Sequence, residues 1–301
     1  IARQLSFYGL KNLILIDHAE SPLYDIEQEL KESHRTKNTI NPICEVANVK
    51  DRYRMDTIFD TYKPNIVYHA AAYKHVPIIE KSPYEGIFVN VFGTRIVADT
   101  ALRYGAERFV MVSTDKAVNP TNVMGATKRV AELYTQSLNE HGKTKFIATR
   151  FGNVLGSNGS VVPLFRKQIE AGGPVTVTHE DITRYFMTIP EACNLVLEAG
   201  AMGKGGEVYV FDMGEPVKIL DMAKKMVKLS FLEPGKDIKI EVTGLRPGEK
   251  LFEELLASSE NTILTHHEKI LKANVETYSH KIIKEHLDIL TEIMIDGDVV
   301  G

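Results

Sequence analysis

The chain has 301 residues, enough for one large α/β domain or a core with a smaller lobe. Apolar content of 44%, charged content of 25% and a net charge of −4 describe a soluble globular protein and argue against a general nucleic-acid binder, which would carry a basic face. The two cysteines, Cys44 and Cys193, offer neither a disulfide framework nor metal-ligand spacing, so a reducing compartment and no metal are expected, and no apolar run reaches the roughly 20 residues that span a bilayer.

In chain order, helical spacing runs from Ile1 to Tyr8, with Gly9 as the expected C-cap. Leu13-Ile14-Leu15-Ile16 is a continuous apolar strand ending in Asp17. A helix leading into a strand that ends in an acid is the second half of a βαβ dinucleotide unit, so a first strand and a Gly-rich turn are expected upstream of Ile1. Asp17 is either a solvated strand-end acid or the carboxylate that holds the adenosine ribose hydroxyls; the second role favours NAD over NADP, because it repels a 2′-phosphate and no Arg stands beside it. A charged amphipathic helix is predicted over Leu23 to Lys37 and a weak strand over Ile43 to Val46. Asn48 and Val49 follow, either as the turn that caps the next helix (Arg52 to Tyr62) or as a contact for an adenine edge.

Asn65 to His69 is a buried strand running into Ala70-Ala71-Ala72, three small residues that let something flat approach the backbone. A helix from about Tyr84 to Tyr104 carries Asn90, whose expected job is a structural hydrogen bond to a neighbouring loop. Arg108 to Val112 is short, apolar and β-branched, a buried parallel strand. Ser113-Thr114-Asp115-Lys116 therefore lie at a strand's carboxyl end, where open α/β sheets bind ligands. Asn119-Pro120 breaks the chain, and a helix from about Val123 to Asn139 sets Met124 and Lys128 one turn apart on one face. A hydroxyl, a carboxylate and two amines thus converge on one crevice.

Lys145 to Phe151 is a further strand, followed by the Gly/Ser/Asn loop 152–160 and a helix starting near Val162-Pro163. Val175 to Thr178 is a short strand, Pro190 starts a helix reaching about Ala201, and Glu207 to Phe211 is a last core strand. Ile219 to Leu229 is an amphipathic helix, and Ile238 to Val242 alternates as a half-exposed strand. The turn-forming Gly244 to Lys250 leads into a helix predicted over Leu251 to Leu256, and the tail from His266 onward is predicted helical and charged. The tail stops without a cap at Gly301, so the C-terminus is expected to be incomplete.

The Ala70-Ala71-Ala72 turn, Ser113-Thr114-Asp115-Lys116, the Met124…Lys128 spacing, Arg150-Phe151-Gly152-Asn153 and Arg246-Pro247-Gly248-Glu249-Lys250 occur in this order. Together they resemble the extended short-chain dehydrogenase/reductases that act on nucleotide sugars, in the CapD-like polysaccharide-biosynthesis branch of UDP-N-acetylglucosamine 4,6-dehydratase type. The resemblance implies an α/β fold, a doubly wound parallel (Rossmann-like) sheet with a smaller C-terminal substrate-binding lobe. Residues 1–156 and 187–213 would form the NAD-binding core, and 157–186 and 214–301 the nucleotide-sugar lobe.

By position, the resemblance makes Thr114, Asp115 and Lys116 the Thr-Asp-Lys triplet and Lys128 the Lys of the Tyr-x-x-x-Lys pair, with Met124 where most of the superfamily has the catalytic Tyr. A thioether cannot take a proton. Asn153, Arg184, Arg246 and Glu249 fall where the family contacts the uridine diphosphate, and a guanidinium fork suits phosphate oxygens. Asp17, Asn48, Val49, Ala70, Ala71, Ala72 and Lys128 would hold the cofactor.

The implied reaction removes water from UDP-N-acetylglucosamine, with hydride parked transiently on NAD, Asp115 as acid at C6 and Lys116 as base at C5. Attraction between Asp115 and Lys116 would push both away from those roles, while burial would push them back. Sister readings are a C5-inverting dehydratase, a 4-epimerase and, in a different class, a non-catalytic NAD- or nucleotide-binding module. A homo-oligomer is expected, with no nucleic acid and no membrane contact from this stretch. A cytoplasmic location is expected, as the soluble part of a membrane-anchored protein if an anchor precedes it.

Overall fold

Apolar runs of four to six residues alternate with amphipathic stretches along the first two-thirds of the chain, and this alternation builds the sheet. The computed structural model describes residues 1–37, 40–255 and 261–296. The short helix Ala2–Leu5 (α1) precedes strand Leu13–Asp17 (β1), helix Glu20–Lys37 (α2) and strand Pro42–Val46 (β2); β1 and β2 pair in parallel. The predicted helix 1–8 shrinks to α1, whose C-cap is Ser6 rather than Gly9. Its anchor is helix Ile189–Met202, since Gln4 Nε2 donates to the Pro190 carbonyl at 3.0 Å and the Ile1 amino group to Cys193 Sγ.

Asp51 caps the next helix, Arg52–Tyr62 (α3), by accepting from the Arg54 N–H at 3.0 Å. Strand Ile66–His69 (β3) ends at Ala70. Beyond two short helical turns, Val76–Ile79 (α4) and Pro83–Gly86 (α5), the helix predicted over 84–104 proves composite. Residues Ile87–Gly93 form a π-helical segment, and the α-helix resumes as Thr94–Arg103 (α6). Strand Arg108–Val112 (β4), helix Val123–Ser137 (α7) and strand Lys145–Arg150 (β5) follow. Phe109, Val110, Met111 and Phe146 are fully buried, as central parallel strands covered on both faces require.

The Gly/Ser/Asn loop contains a short strand, Asn153–Leu155 (β6), and leads to helix Val161–Glu170 (α8). Strands Val175–Val177 (β7), Thr183–Arg184 (β8) and Phe186–Thr188 (β9) precede helix α9, Ile189–Met202. Then come strand Val208–Phe211 (β10), strand Val217–Lys218 (β11), helix Ile219–Leu229 (α10) and strand Ile240–Val242 (β12). A separate apolar cluster joins Phe165, Val175, Ile182, Ala223, Val227 and Ile238, the core of the smaller lobe.

The C-terminal part departs most from expectation. Residues 251–255 are not helical; Leu256 lies outside the described residues. The carbonyls of Lys250 and Leu251, which would start a helical ladder, accept instead from the Arg184 guanidinium. Strand Asn261–Leu264 (β13) precedes the tail predicted as helix, and within that tail strand Ile270–Asn274 (β14) comes before helix His280–Asp296 (α11). Both strands extend the main sheet, whose order is β13-β14-β10-β5-β4-β3, parallel from β10 to β3 and antiparallel at β14 and β13. Ile283 and Leu287 of α11 join the same core. β13 and β14 thus belong to the main sheet, and α11 packs against its core.

Between β1 and β3 the sheet is not continuous. A cavity of about 740 Å³ separates them, walled by Leu13 to Asp17 on one side and Asn65 to Tyr68 on the other. Among the described residues no helix is long and apolar enough to cross a membrane.

Candidate active site

The site grows from the end of β4. Ser113 stays in register through its N–H to the Thr149 carbonyl (2.7 Å), and Asp115 N–H donates to the Phe151 carbonyl (3.1 Å), so the chain remains tied to β5 as it leaves the sheet. Thr114 then caps a single 3₁₀ turn, Asp115–Ala117, its Oγ1 accepting from the Lys116 N–H. This turn aims three side chains at one point. Thr114 Oγ1 donates to Asp115 Oδ1 at 2.8 Å, and Lys116 Nζ donates to the same oxygen at 3.0 Å. Asp115 is 1% exposed, and its other oxygen, Oδ2, is buried with no partner among the described residues.

Two glycines make room for this turn. A Cβ on Gly152 would lie 2.9 Å from Asp115 Oδ2, and a Cβ on Gly125 would lie 2.2 Å from the Lys116 carbonyl oxygen. Gly125 sits in the first turn of α7, which Asn122 caps by accepting its N–H at 2.7 Å while Glu80 accepts the Val123 N–H. The cap holds Met124 and Lys128 below the turn, both buried. Lys128 Nζ donates to the Val112 carbonyl at 2.7 Å, and burial pulls its pKa down to about 8 against the opposing charge of Glu132. Beneath it lies the fully buried Glu132–Arg150 ion pair at 2.8 Å.

Lys116 is pulled both ways. Burial lowers its proton affinity, the Asp115 and Glu253 carboxylates and the hydrogen bond to Asp115 raise it, and Arg184 opposes them; the balance holds the amine above the usual lysine range. Of the two opposing influences foreseen for the Asp115–Lys116 pair, charge attraction prevails at Lys116.

A second cleft, of about 190 Å³, opens at the carboxyl ends of β1, β2 and β3. Asp17, Asn48, Val49, Ala70, Ala71 and Ala72, the strand-end residues named for the cofactor, all line it, with Tyr73 and Val89. Asn48 Oδ1 also accepts from the Lys50 N–H, so it forms its turn as well as facing the cleft. Gly93, in the π segment, lets this loop come close, since a Cβ there would lie 2.7 Å from Val49 Cγ2. Asn90 fixes the opposite rim. Its amide accepts from the Tyr73 N–H (2.8 Å) and donates to the Tyr73 carbonyl (3.0 Å) and to Thr127 Oγ1 (2.9 Å), the bond to a neighbouring loop that its burial predicts.

The four residues named for the uridine diphosphate are placed unequally. Asn153 Oδ1 stands 3.5 Å from Lys116 Nζ, at the Thr114–Lys116 turn. Arg246 is exposed, on a turn closed by its N–H to Glu249 Oε2. Arg184 is buried and its donors are committed: to the carbonyls of Thr183, Lys250 and Leu251, to Glu249 at 3.5 Å and to Glu253 at 3.7 Å. Glu249 also accepts from Thr178. Arg184 and Glu249 thus clamp the 244–255 loop, and Asn122 Nδ2 pins that loop to α7 through the Gly248 carbonyl at 3.0 Å.

Sequence reading missed Glu253, which lies 3.4 Å from Lys116 Nζ, and Glu80 and Asn122, which start α7. Asn122, an Asn three residues before Gly125 at a helix entry, carries a capping signal that could have been read. Glu253 carries none, because only the Arg184 clamp brings it to β4. Among the described residues no three His, Cys, Asp or Glu side chains gather as a metal site.

A mostly parallel sheet, a cleft at its carboxyl edge and a Thr-Asp-Lys turn beside a buried lysine define the class: a Rossmann-like fold of the short-chain dehydrogenase/reductase kind. Residues 1–275 match the family described as polysaccharide biosynthesis protein, and the chain belongs to it. It is 52% identical over 298 residues to the capsular polysaccharide biosynthesis protein CapD of Staphylococcus aureus, covering 99% of this chain and 49% of that protein. It is 35% identical over 225 residues to the UDP-N-acetylglucosamine 4,6-dehydratase (inverting) of Campylobacter jejuni, covering 73% of this chain and 64% of that one. The X-ray structure of Pen from Bacillus thuringiensis superposes with a TM-score of 0.78 at 29% identity, covering 92% of this chain and 90% of that one. The chain spans about half the length, or less, of the curated relatives that it matches at more than 50% identity.

Proposed function

We propose that this chain carries the catalytic unit of a nucleotide-sugar 4,6-dehydratase that uses NAD and acts on UDP-N-acetylglucosamine in surface-polysaccharide biosynthesis. The observation that carries the reading is the Thr114–Asp115–Lys116 turn: a carboxylate and an amine 3.0 Å apart, at the sheet's carboxyl edge, with one carboxylate oxygen left without a partner among the described residues. The cleft at β1–β3 fits the cofactor, because three alanines line its floor and Asp17 lies at its end, where a carboxylate would take ribose hydroxyls and repel a 2′-phosphate. NAD held there would supply hydride acceptance from C4 and hydride return to C6.

The side chains handle the protons. The resting ion pair converts to the competent one when the Lys116 ammonium passes a proton along its hydrogen bond to Asp115, leaving a free amine beside a carboxylic acid. With C4 oxidised, Lys116 Nζ takes the C5 proton while Asp115 gives its proton to the C6 oxygen. The C6–O bond breaks and water leaves a 4-keto-5,6-ene beside the ammonium–carboxylate pair; with hydride returned to C6, the Lys116 ammonium would give a proton to C5, and solvent would replace it, balancing the C4 hydroxyl proton released to solvent past Thr114 on oxidation. Thr114 Oγ1, bonded to Asp115, is suited to the C4 hydroxyl, and Lys128 to the nicotinamide ribose. Met124 contributes packing and no proton transfer. A 4-epimerase has no use for an acid and a base at C6 and C5, so the pair counts against that reading; similarity to an inverting dehydratase keeps inversion at C5 as the second one.

The test is incubation of the full-length protein with UDP-N-acetylglucosamine in D₂O. A 4-keto-6-deoxy product with deuterium at C5 is expected, its C5 configuration deciding between retention and inversion. Lys116→Ala and Asp115→Asn should each lower its formation at least about 100-fold, the scale of one acid–base group, while nucleotide binding stays near wild type. An epimer without exchange, or no turnover, would overturn the dehydratase.

A further inference from the structure

Glu253 has a feature that its place in a loop does not explain. Its side chain is only 3% exposed, Oε1 lies 3.4 Å from Lys116 Nζ and 3.7 Å from Arg184 Nε, and Oε2 is buried with no partner among the described residues. A buried carboxylate with an unpartnered oxygen costs stability, and such groups persist where a function holds them. Three charged groups face the Lys116 amine: Asp115 from its own turn, Glu253 from the 244–255 loop and Arg184 from β8; the Asn153 amide oxygen adds a neutral acceptor. One ammonium is therefore shared by two carboxylates, with Arg184 offsetting the surplus charge.

We propose that Glu253 is a positioning residue of the acid–base pair: it fixes the Lys116 amine beside Asp115 and keeps one proton on that pair. This rests on the dehydratase reading for its purpose, but not for its physical content. The competent state of Asp115 and Lys116 holds a single proton, to be given to the C6 oxygen while another is received from C5. Once Lys116 loses its proton to solvent, Asp115 has none to deliver, and dehydration stops. The negative charge of Glu253 delays that loss to higher pH. It also ties the proton inventory to the position of the loop that Arg184 clamps.

The experiment compares full-length wild type, Glu253→Gln and Glu254→Gln, the last removing a neighbouring charge that faces Asn119 and Lys250 instead of Lys116. Competitive isotopic methylation across a pH series, read by mass spectrometry at Lys116, gives the titration midpoint of its amine without any need for turnover. In Glu253→Gln the midpoint is expected about one unit lower, the low end for losing an opposite charge at this range, and in Glu254→Gln unchanged. The alkaline limb of the dehydration rate should move by the same amount, so that turnover above the limb falls about tenfold. A residue with a merely structural role would lower the amplitude and leave both midpoints in place. Coincident Lys116 midpoints in wild type and Glu253→Gln overturn the proposal. If that variant does not fold, Glu253→Asp is read instead: drawing the carboxylate back should lower the midpoint by a smaller step, and an unmoved midpoint again overturns it. Failure of wild type to form the 4-keto-6-deoxy sugar would sink the dehydratase reading alone, because the methylation midpoint still decides the role of Glu253.

Discussion

At the scale of single residues, the Thr114–Lys116 turn depends on side chains that are missing as much as on those present. Gly125 has an ordinary helical backbone, so its requirement is spatial: a methyl group there would sit 2.2 Å from the Lys116 carbonyl oxygen, and backbone cannot swing aside. Gly125→Ala should cost at least about 1–3 kcal/mol in urea denaturation, the range for overpacking, even though alanine is the better helix former. A variant as stable as wild type would show that the turn and α7 are not in contact. The turn itself was legible, because Thr114, Asp115 and Lys116 come just past the end of an apolar strand, after Ser113. Glu253 and the commitment of Arg184 were not: they depend on a pairing between residues about 70 positions apart, which neither spacing nor charge pattern encodes.

At the scale of elements, the π segment shows what a periodicity reading leaves out. Hydrophobic spacing over 84–104 fits a helix, and a helix it is, but widened at Ile87–Gly93. The widening brings buried polar groups into line: Thr94 Oγ1 donates its one hydrogen to the Asn90 carbonyl at 2.7 Å, so His69, 2.8 Å away on β3, must donate to Thr94 from Nε2. Burial and the charge of Lys128 push the His69 pKa down to about 3 from an ordinary 6.5. The folded protein thus binds fewer protons than the unfolded chain between those values. The stability that neutral His69 provides is complete above about pH 6.5 and is lost as pH falls toward 3, by roughly 2–3 kcal/mol at about pH 4.5. Denaturant-derived stability should therefore fall less steeply over this range in His69→Gln, which can still donate to Thr94 and does not titrate. Parallel slopes in the two proteins would mean that His69 titrates normally.

At the scale of the whole molecule, the doubly wound pattern could be read from alternating apolar runs in the first half of the chain, because β1 to β4 are each followed by a helix before the next strand of the sheet. It failed in the tail, where the charged stretch His266 to Lys269 masks the strands on either side: β13 and β14 hold one charged residue between them, Lys272, and β14 is a strand through pairing with β10, β13 through pairing with β14. The other sheet irregularity lies between β1 and β3. Among the described residues each is hydrogen-bonded to a strand on one side only, β1 to β2 and β3 to β4, and their free sides face each other across the cavity of about 740 Å³ lined by Leu13, Leu15, Ile58, Phe59, Val67 and Tyr68. Such a slot suits one more parallel strand, whose backbone would pair with both edges and whose apolar side chains would fill both faces. The turn following that strand would open onto the cleft holding Asp17 and Ala70 to Ala72. Two large apolar side chains set into the slot would contribute about 3–6 kcal/mol. A version of the chain extended upstream by an apolar strand and a glycine-rich turn should therefore melt several degrees higher than residues 1–301 and bind NAD more tightly. Equal melting midpoints and equal NAD affinity would show that the slot does not accept a strand, and that the cleft is already complete without one.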